Sequence, residues 1–228
     1  LIDLLMEIGQ AGDQMNLELY VVGGFVRDLL LYRVSDDIDV VVEGDGIAFA
    51  RHLARIKQGR CNTHREFGTA VVILPDGFKI DVASARLEYY KSPAALPTVE
   101  MSSIKLDLFR RDFTINTLAI RLNSDDFGTL IDFFGAQRDL KDKTIRIIHN
   151  HSFVEDPTRI FRAIKFANRF DFTIGKLTAN LIKNAVRIDF FKALSGRRVF
   201  SEIRQILEEE DPIAAIQLIK TYQLDKVI

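Results

Sequence analysis

An apolar run that ends on two consecutive glycines, Leu19-Tyr20-Val21-Val22-Gly23-Gly24, with the helix-like stretch Phe25 to Tyr32 directly after it, constrains this chain more than any other feature. The glycines sit where a strand turns sharply into a helix N-terminus, a place that favours phosphate. Further on, Asp37 and Asp39 stand two apart and open the apolar run Val40-Val41-Val42. On a strand such residues project from one face. Two carboxylates side by side repel unless a cation sits between them, and Mg²⁺ is usually held by one or two carboxylates plus substrate phosphates. Strand, phosphate-holding turn and carboxylate pair together point to a nucleotide-handling metal site. A polar strand edge or a turn is the competing reading of the same aspartates.

Coarse patterning divides the chain into a mixed front and a helical rear. Leu1 to about Leu17 has helical apolar spacing, and Asp37 to Val42 reads as a second strand. Gly44-Asp45-Gly46 is a turn, with Asp45 as N-cap of a helix through about Ile56. Thr69 to Leu74 and Phe78 to Ala83 flank Pro75-Asp76-Gly77, a hairpin signal. Lys91 to Ser103 breaks the periodicity and reads as a loop, and from Asp156 onward only helices are expected. There, Ile160, Ala163, Ile164, Ala167 and Phe170 form an apolar stripe, with Arg159, Arg162 and Arg169 toward another face.

Charge is distributed unevenly along the 228 residues. Residues 1–140 hold 15 basic and 21 acidic side chains, whereas between Arg159 and Arg204 there are 11 basic and 3 acidic. An acidic front that could hold metal thus precedes a basic rear that could hold RNA, although a solvated helix face is the plainer reading of such a run. The single Cys61 rules out an intrachain disulfide and a cysteine zinc cage, and fits a reducing, cytoplasmic setting. No apolar run approaches the ~18 residues needed to span a bilayer. His64, His149 and His151 have no metal-ligand partners at useful spacing. The missing initial methionine and the ending in mid-pattern at Val227-Ile228 suggest a piece of something longer.

A series of motifs runs from about Tyr20 to about Leu207: Gly23-Gly24 with Arg27-Asp28, Asp37-x-Asp39, Phe67-Gly68-Thr69-Ala70, Ile80-Asp81-Val82, Arg110-Arg111-Asp112-Phe113-Thr114-Ile115-Asn116, Asp139-Leu140, Glu155-Asp156-Pro157-Thr158-Arg159, and Ser195 through Glu202. In this order they resemble the nucleotidyltransferases of the DNA polymerase β superfamily, and within them the class II tRNA CCA-adding enzymes and bacterial poly(A) polymerases. The resemblance implies an α+β fold. A polymerase β-like head, a mixed β-sheet with flanking helices, would occupy 1–148, and an all-α neck 149–228. It implies addition of C and/or A to the 3′ end of tRNA from CTP and/or ATP with two Mg²⁺ ions. The stretches Val42 to Gly46 and Ser195 to Arg198 look like the versions fused to phosphoesterase and CBS domains.

The resemblance also distributes roles. Asp37, Asp39 and Asp81 would hold the metals and catalyse, Asp81 facing either solvent or the site. Gly23, Gly24, Arg27, Asp28, Arg111, Asp112 and Asn116 would meet the nucleotide. Arg111 could instead pair with a neighbouring acid as a structural bridge, Arg27 meets the same alternative, and Asp28 could complement a helix dipole. Asp156 and Arg159, three apart on one helix face, would hydrogen-bond the base edge, so that protein acts as template, and Arg162 would also meet the nucleotide. The plainer reading makes Asp156 an N-cap with Pro157 at the first helical position. Arg169, Lys176, Arg197 and Arg198 would bind RNA, with Arg197 standing where many relatives carry Glu. A catalytically silent RNA-binding module and transfer to a small molecule or protein are the competing functions, and a second copy of the chain stays open as a partner.

Overall fold

The computed structural model describes residues 1–89, 98–188, 191 and 194–226. They fall into two compact units, one from Leu1–Glu88, Val99–Arg111 and Asn116–Ala136, the other mainly from Asp112–Ile115 and the described residues from Gln137 on. In chain order the first unit holds α1 (Ile2–Asp13), β1 (Glu18–Val22), α2 (Gly24–Leu30), β2 (Ile38–Glu43), α3 (Gly46–Ile56), β3 (Arg60–His64), β4 (Thr69–Ile73), β5 (Lys79–Ser84), β6 (Arg86–Tyr89), β7 (Thr98–Met101), α4 (Ile104–Phe109), β8 (Leu118–Arg121) and β9 (Leu130–Asp132). There follow α5 (Ala136–Lys141), β10 (Thr144–Ile145), α6 (Ser152–Glu155), α7 (Arg159–Phe170), β11 (Thr173–Ile174), α8 (Lys176–Ile188), α9 (Gly196–Leu207) and α10 (Ile213–Thr221).

Seven strands form one mixed sheet in the order β3-β4-β5-β2-β1-β8-β9. β2 and β5 run parallel, while β1 pairs antiparallel with both β2 and β8. On one sheet face Leu19, Val21, Val40, Val42, Val72, Ile80 and Val82 are buried, and α1 and α3 supply Ile8, Phe49 and Leu53 to the core. On the other, Tyr20, Val22, Val41 and Ala119 pack with Ile104 and Leu108 of α4. Period-2 alternation therefore sends Asp39 and Asp81 to the α4 side, because their neighbours Ile38, Val40, Ile80 and Val82 are all core.

Sequence expectations and structure agree at α3, where the Asp45 carboxylate accepts from the Ala48 N–H at 2.9 Å, and at the β4–β5 hairpin, whose Gly77 has φ +89°. They part at several places. Helix α1 stops at Asp13 rather than near Leu17, because the Leu17 N–H turns back to the Gly12 carbonyl with Asn16 left-handed at φ +52°. Strands β3, β8 and β9 complete the sheet without having been singled out, β3 being polar apart from Cys61. Within the supposed Lys91–Ser103 loop, Thr98–Met101 is a strand that pairs with β6, and residues 91–97 lie outside the described residues, as do Val227 and Ile228. The all-helical rear contains one short strand, β11, paired in parallel with β10.

The second unit is built on aromatic packing. Phe113 meets Phe166 edge-on at 5.9 Å between ring centroids, Phe161 meets Phe191, and Ile160, Ile164, Ile182 and Ile206 are buried with them. The buried Asp139 accepts the Thr114 hydroxyl at 2.6 Å. Loss of the α3 cap in Asp45→Ala is expected to lower the unfolding free energy by about 1 kcal/mol, read as a lower denaturant midpoint at unchanged slope.

Candidate functional site

Asp39 and Asp81 are direct partners in the parallel β2–β5 ladder, so their side chains stand next to each other on the same sheet face. Asp81 is half-buried and faces the side where Asp39 stands. Asp37 precedes β2 by one residue and is exposed. Burial, then repulsion from Asp37 and Asp81, raises the Asp39 pKa to about 6, against the opposing pull of the Arg111 charge. Burial and Asp37 likewise raise Asp81. Among the described residues no three His, Cys, Asp or Glu side chains are gathered as a ready-made metal cage. Mg²⁺ does not need one, since it keeps several waters and substrate oxygens in its shell. Two opposed hard carboxylates whose charged forms disfavour each other fit a divalent cation.

The turn between β1 and α2 lies in the same unit. Gly23 has φ +69° and ψ −123°, and its N–H donates to the Leu118 carbonyl of β8 at 3.0 Å. A Cβ there would lie 2.6 Å from Arg111 Nη1, while at Gly24 it would lie 3.5 Å from Arg27 Nη2. The two guanidinium groups therefore flank the glycine turn. Arg27, only 6% exposed, forks onto both Asp28 oxygens at 2.9 Å and donates from Nη1 to Asn116 Oδ1 at 2.6 Å. Asp28 lies beyond the first turn of α2, so the dipole reading gives way to an ion pair with its neighbour. Arg111 does pair with an acid, Asp107, through Nε and Nη2. Asp107 escaped the sequence reading, although its spacing to Arg110 and Arg111, three and four residues on, was a visible signal.

In the second unit, Arg162 binds Asp112 through Nε at 2.8 Å and Nη2 at 2.6 Å. Asp156 and Arg159 do not share a helix face. Asp156 ends α6, and its Oδ1 accepts from the Thr158 N–H at 3.0 Å, the Thr158 hydroxyl at 2.7 Å and Arg198 Nη2 at 2.9 Å. The bond to the N–H two residues on closes a turn ahead of α7, whose N-cap is Thr158 and first residue Arg159, so Asp156 is not the N-cap and Pro157 is not the first helical position. Arg159 is 6% exposed rather than on a polar face, and its Nη1 donates to Ser152 Oγ at 2.8 Å. The basic stretch is also less positive than its composition. Asp112, Asp156 and Glu209 all lie outside it in sequence yet pair with Arg162, Arg198 and Arg169, and Lys165 is buried against Glu202 and Gln205. Lys176 and Arg197 are exposed and unpaired among the described residues.

The fold and the carboxylate face define the class. The family described as Poly A polymerase head domain matches residues 19–146, and the chain belongs to that family. It is 60% identical over 213 residues to the A-adding tRNA nucleotidyltransferase of Geobacter sulfurreducens, covering 93% of this chain and 24% of that protein. Its structure matches a CCA-adding enzyme in apo form II with TM-score 0.96 at 51% identity, covering 99% of this chain and 53% of the other. It also matches a CCA-adding enzyme in complex with ATP, with TM-score 0.89 at 47% identity, covering 99% of this chain and 52% of the other. The chain thus spans between about a quarter and about half the length of the relatives it matches. No helix among the described residues is long and apolar enough to cross a membrane.

Because the folded Asp39 holds its proton to a higher pH than the unfolded chain, the unfolded state gains stability as pH rises from about 4 to about 6. In EDTA, Asp39→Asn should therefore be more stable than the parent above pH 6 by about 2–3 kcal/mol and equal to it below pH 4. Added Mg²⁺ should stabilise only the parent. Chemical unfolding at pH 3.5 and 7.5 checks the sign. Arg159→Ala should cost about 1–3 kcal/mol by leaving Ser152 without its donor, whereas Arg197→Ala should stay within about 0.5 kcal/mol of the parent.

Proposed function

We propose that this chain is the catalytic head and adjoining helical neck of a template-independent RNA nucleotidyltransferase that adds A, or C and A, to the 3′ end of tRNA. Residues 1–148 would form the head and 149–228 the neck. The observation that carries the reading is the direct opposition of Asp39 and Asp81 on one sheet face, with the Arg111 charge partly opposing the rise in the Asp39 pKa and its Nη1 beside the Gly23 turn. Further support comes from relatives. Proteins 60% and 45% identical are named A-adding tRNA nucleotidyltransferases, which favours ATP as substrate and A as the added base. Similar CCA-adding enzymes form complexes with ATP, with CTP and with tRNA_CCA. These names favour tRNA as acceptor over the poly(A) polymerase alternative. Retention of the carboxylates argues against a silent RNA-binding module. A cytoplasmic setting belongs to the same proposal.

In this reading Asp39, Asp81 and Asp37 hold the magnesium ions. When bound, two Mg²⁺ neutralise charge at the α-phosphate and the leaving pyrophosphate and make the attacking 3′-hydroxyl more acidic. The missing side chains at Gly23 and Gly24 let phosphate oxygens approach the backbone, and Arg111 donates to them from Nη1. Arg27, Asp28 and Asn116 hold the shape of the turn through their mutual bonds. In the neck, a carboxylate at Asp156 accepts from an exocyclic amine and a guanidinium at Arg159 or Arg162 donates to ring acceptors, in competition with the Asp156–Arg198 and Arg162–Asp112 pairs. Lys176 and Arg197 offer unpaired charge to an RNA backbone, with Arg169 and Arg198 contributing where their ion pairs yield.

The test supplies tRNA ending before CCA, after CC and after CCA, each with labelled ATP or CTP. One A added to tRNA-CC, abolished in Asp39→Ala, is the expected result. C incorporation would mean full CCA addition, and long A tails would overturn the tRNA reading in favour of a polymerase. Arg159→Ala should change the ratio of ATP to CTP use, and an unchanged ratio counts against base reading by that residue.

A further inference from the structure

Asp107 is 0% exposed and belongs to none of the motifs that carry the proposed chemistry. Its Oδ1 accepts from Arg110 Nη2 at 2.6 Å and Nε at 3.1 Å and from the Arg86 N–H at 3.3 Å, and its Oδ2 from Arg111 Nη2 at 3.1 Å and Nε at 3.4 Å. Burial would push its carboxyl up, but the Arg111 and Arg110 charges more than reverse this, so the group stays below the usual carboxylate range and anionic.

The two arginines are held differently. Arg110 is fastened on further sides, by Glu88 at 3.0 Å from Nη1 and by the Arg86 carbonyl at 3.2 Å from Nε. Arg111 is anchored by Nε and Nη2 to Asp107, and its remaining end, Nη1, is the atom closest to where a Gly23 side chain would be. A guanidinium is a rigid planar fork, so fixing the Nε/Nη2 edge fixes the direction of Nη1. A pre-oriented arginine also loses less side-chain freedom when it meets a ligand.

We propose that Asp107 is a positioning residue that aims Arg111 Nη1 at the glycine turn, where it meets an oxygen of a bound polyphosphate. The inference rests on the phosphate-binding reading of Arg111 given above. It assigns unlike roles to two adjacent arginines: Arg110 ties β6 to α4, and Arg111 meets ligand.

Calorimetric binding of MgATP and of magnesium tripolyphosphate to the 228-residue protein separates the cases. Arg111→Ala and Asp107→Asn should each weaken both ligands about tenfold, the worth of one charge-assisted hydrogen bond. Glu88→Gln, which loosens Arg110 and Arg86 and leaves the Asp107–Arg111 bonds in place, should lower the unfolding temperature without moving either affinity. Parent-like binding in Arg111→Ala would remove the Arg111 reading itself. Weakened binding in Arg111→Ala with parent-like binding in Asp107→Asn would leave that reading and overturn the positioning role, as would a Glu88→Gln protein that binds as poorly as Asp107→Asn. Should Asp107→Asn not fold, Asp107→Glu decides: it keeps the charge but shifts the carboxylate by one methylene, and full parent affinity for tripolyphosphate would overturn the proposal.

Discussion

The parallel register of β2 against β5 sets two half-buried carboxylates directly opposite each other, and the candidate site is organised around that conflict. Each aspartate is held on its face by core residues on either side, so neither can turn away without exposing Ile38, Val40, Ile80 or Val82. Desolvation and like charge then keep the Asp39 proton on to about 6. Hydrophobic burial on one face thus maintains electrostatic tension on the other, and a divalent cation with phosphate ligands is the chemistry that relieves it.

Around this pair, the positive charges are sorted by the acids that hold them. Arg27 is closed into a fork with Asp28 and tied to Asn116, which makes it a brace for the turn between β1 and α2. Arg110 is held between Glu88 and Asp107. Arg111 keeps one end at Gly23. In the second unit the same sorting joins Arg162 to Asp112, Arg198 to Asp156 and Arg169 to Glu209. A count of basic residues over a window of sequence overstates the surface potential, because the compensating acids arrive from elsewhere in the chain.

Much of the fold was legible because its elements carry strong local signals. The β1–glycine–α2 turn, the Asp45 cap and the Pro75-Asp76-Gly77 hairpin each depend on residues within a few positions of one another. What escaped was governed by distant partners. β3, with its polar sequence, is a strand because β4 offers it an edge, and β8 and β9 extend the sheet from β1. The helical reading of Asp156 and Arg159 failed on a similar ground: spacing of three implies a shared face only if both residues lie in one helix, and Asp156 lies before α7.

The sequence by itself determined the backbone frame of the candidate site, since aspartates ahead of a valine run and a double glycine behind a strand are short-range patterns whose backbone consequences are local. It also determined the family, through the order of its motifs. Only the tertiary structure decided which charges remain available. The alignment of Asp39 with Asp81 depends on strand register, the burial of Arg159 on the packing of α6 and α7, and the direction of Arg111 on the buried Asp107. Side-chain reach spans several ångströms in any direction, so partner choice is settled by which acids the fold brings within that reach.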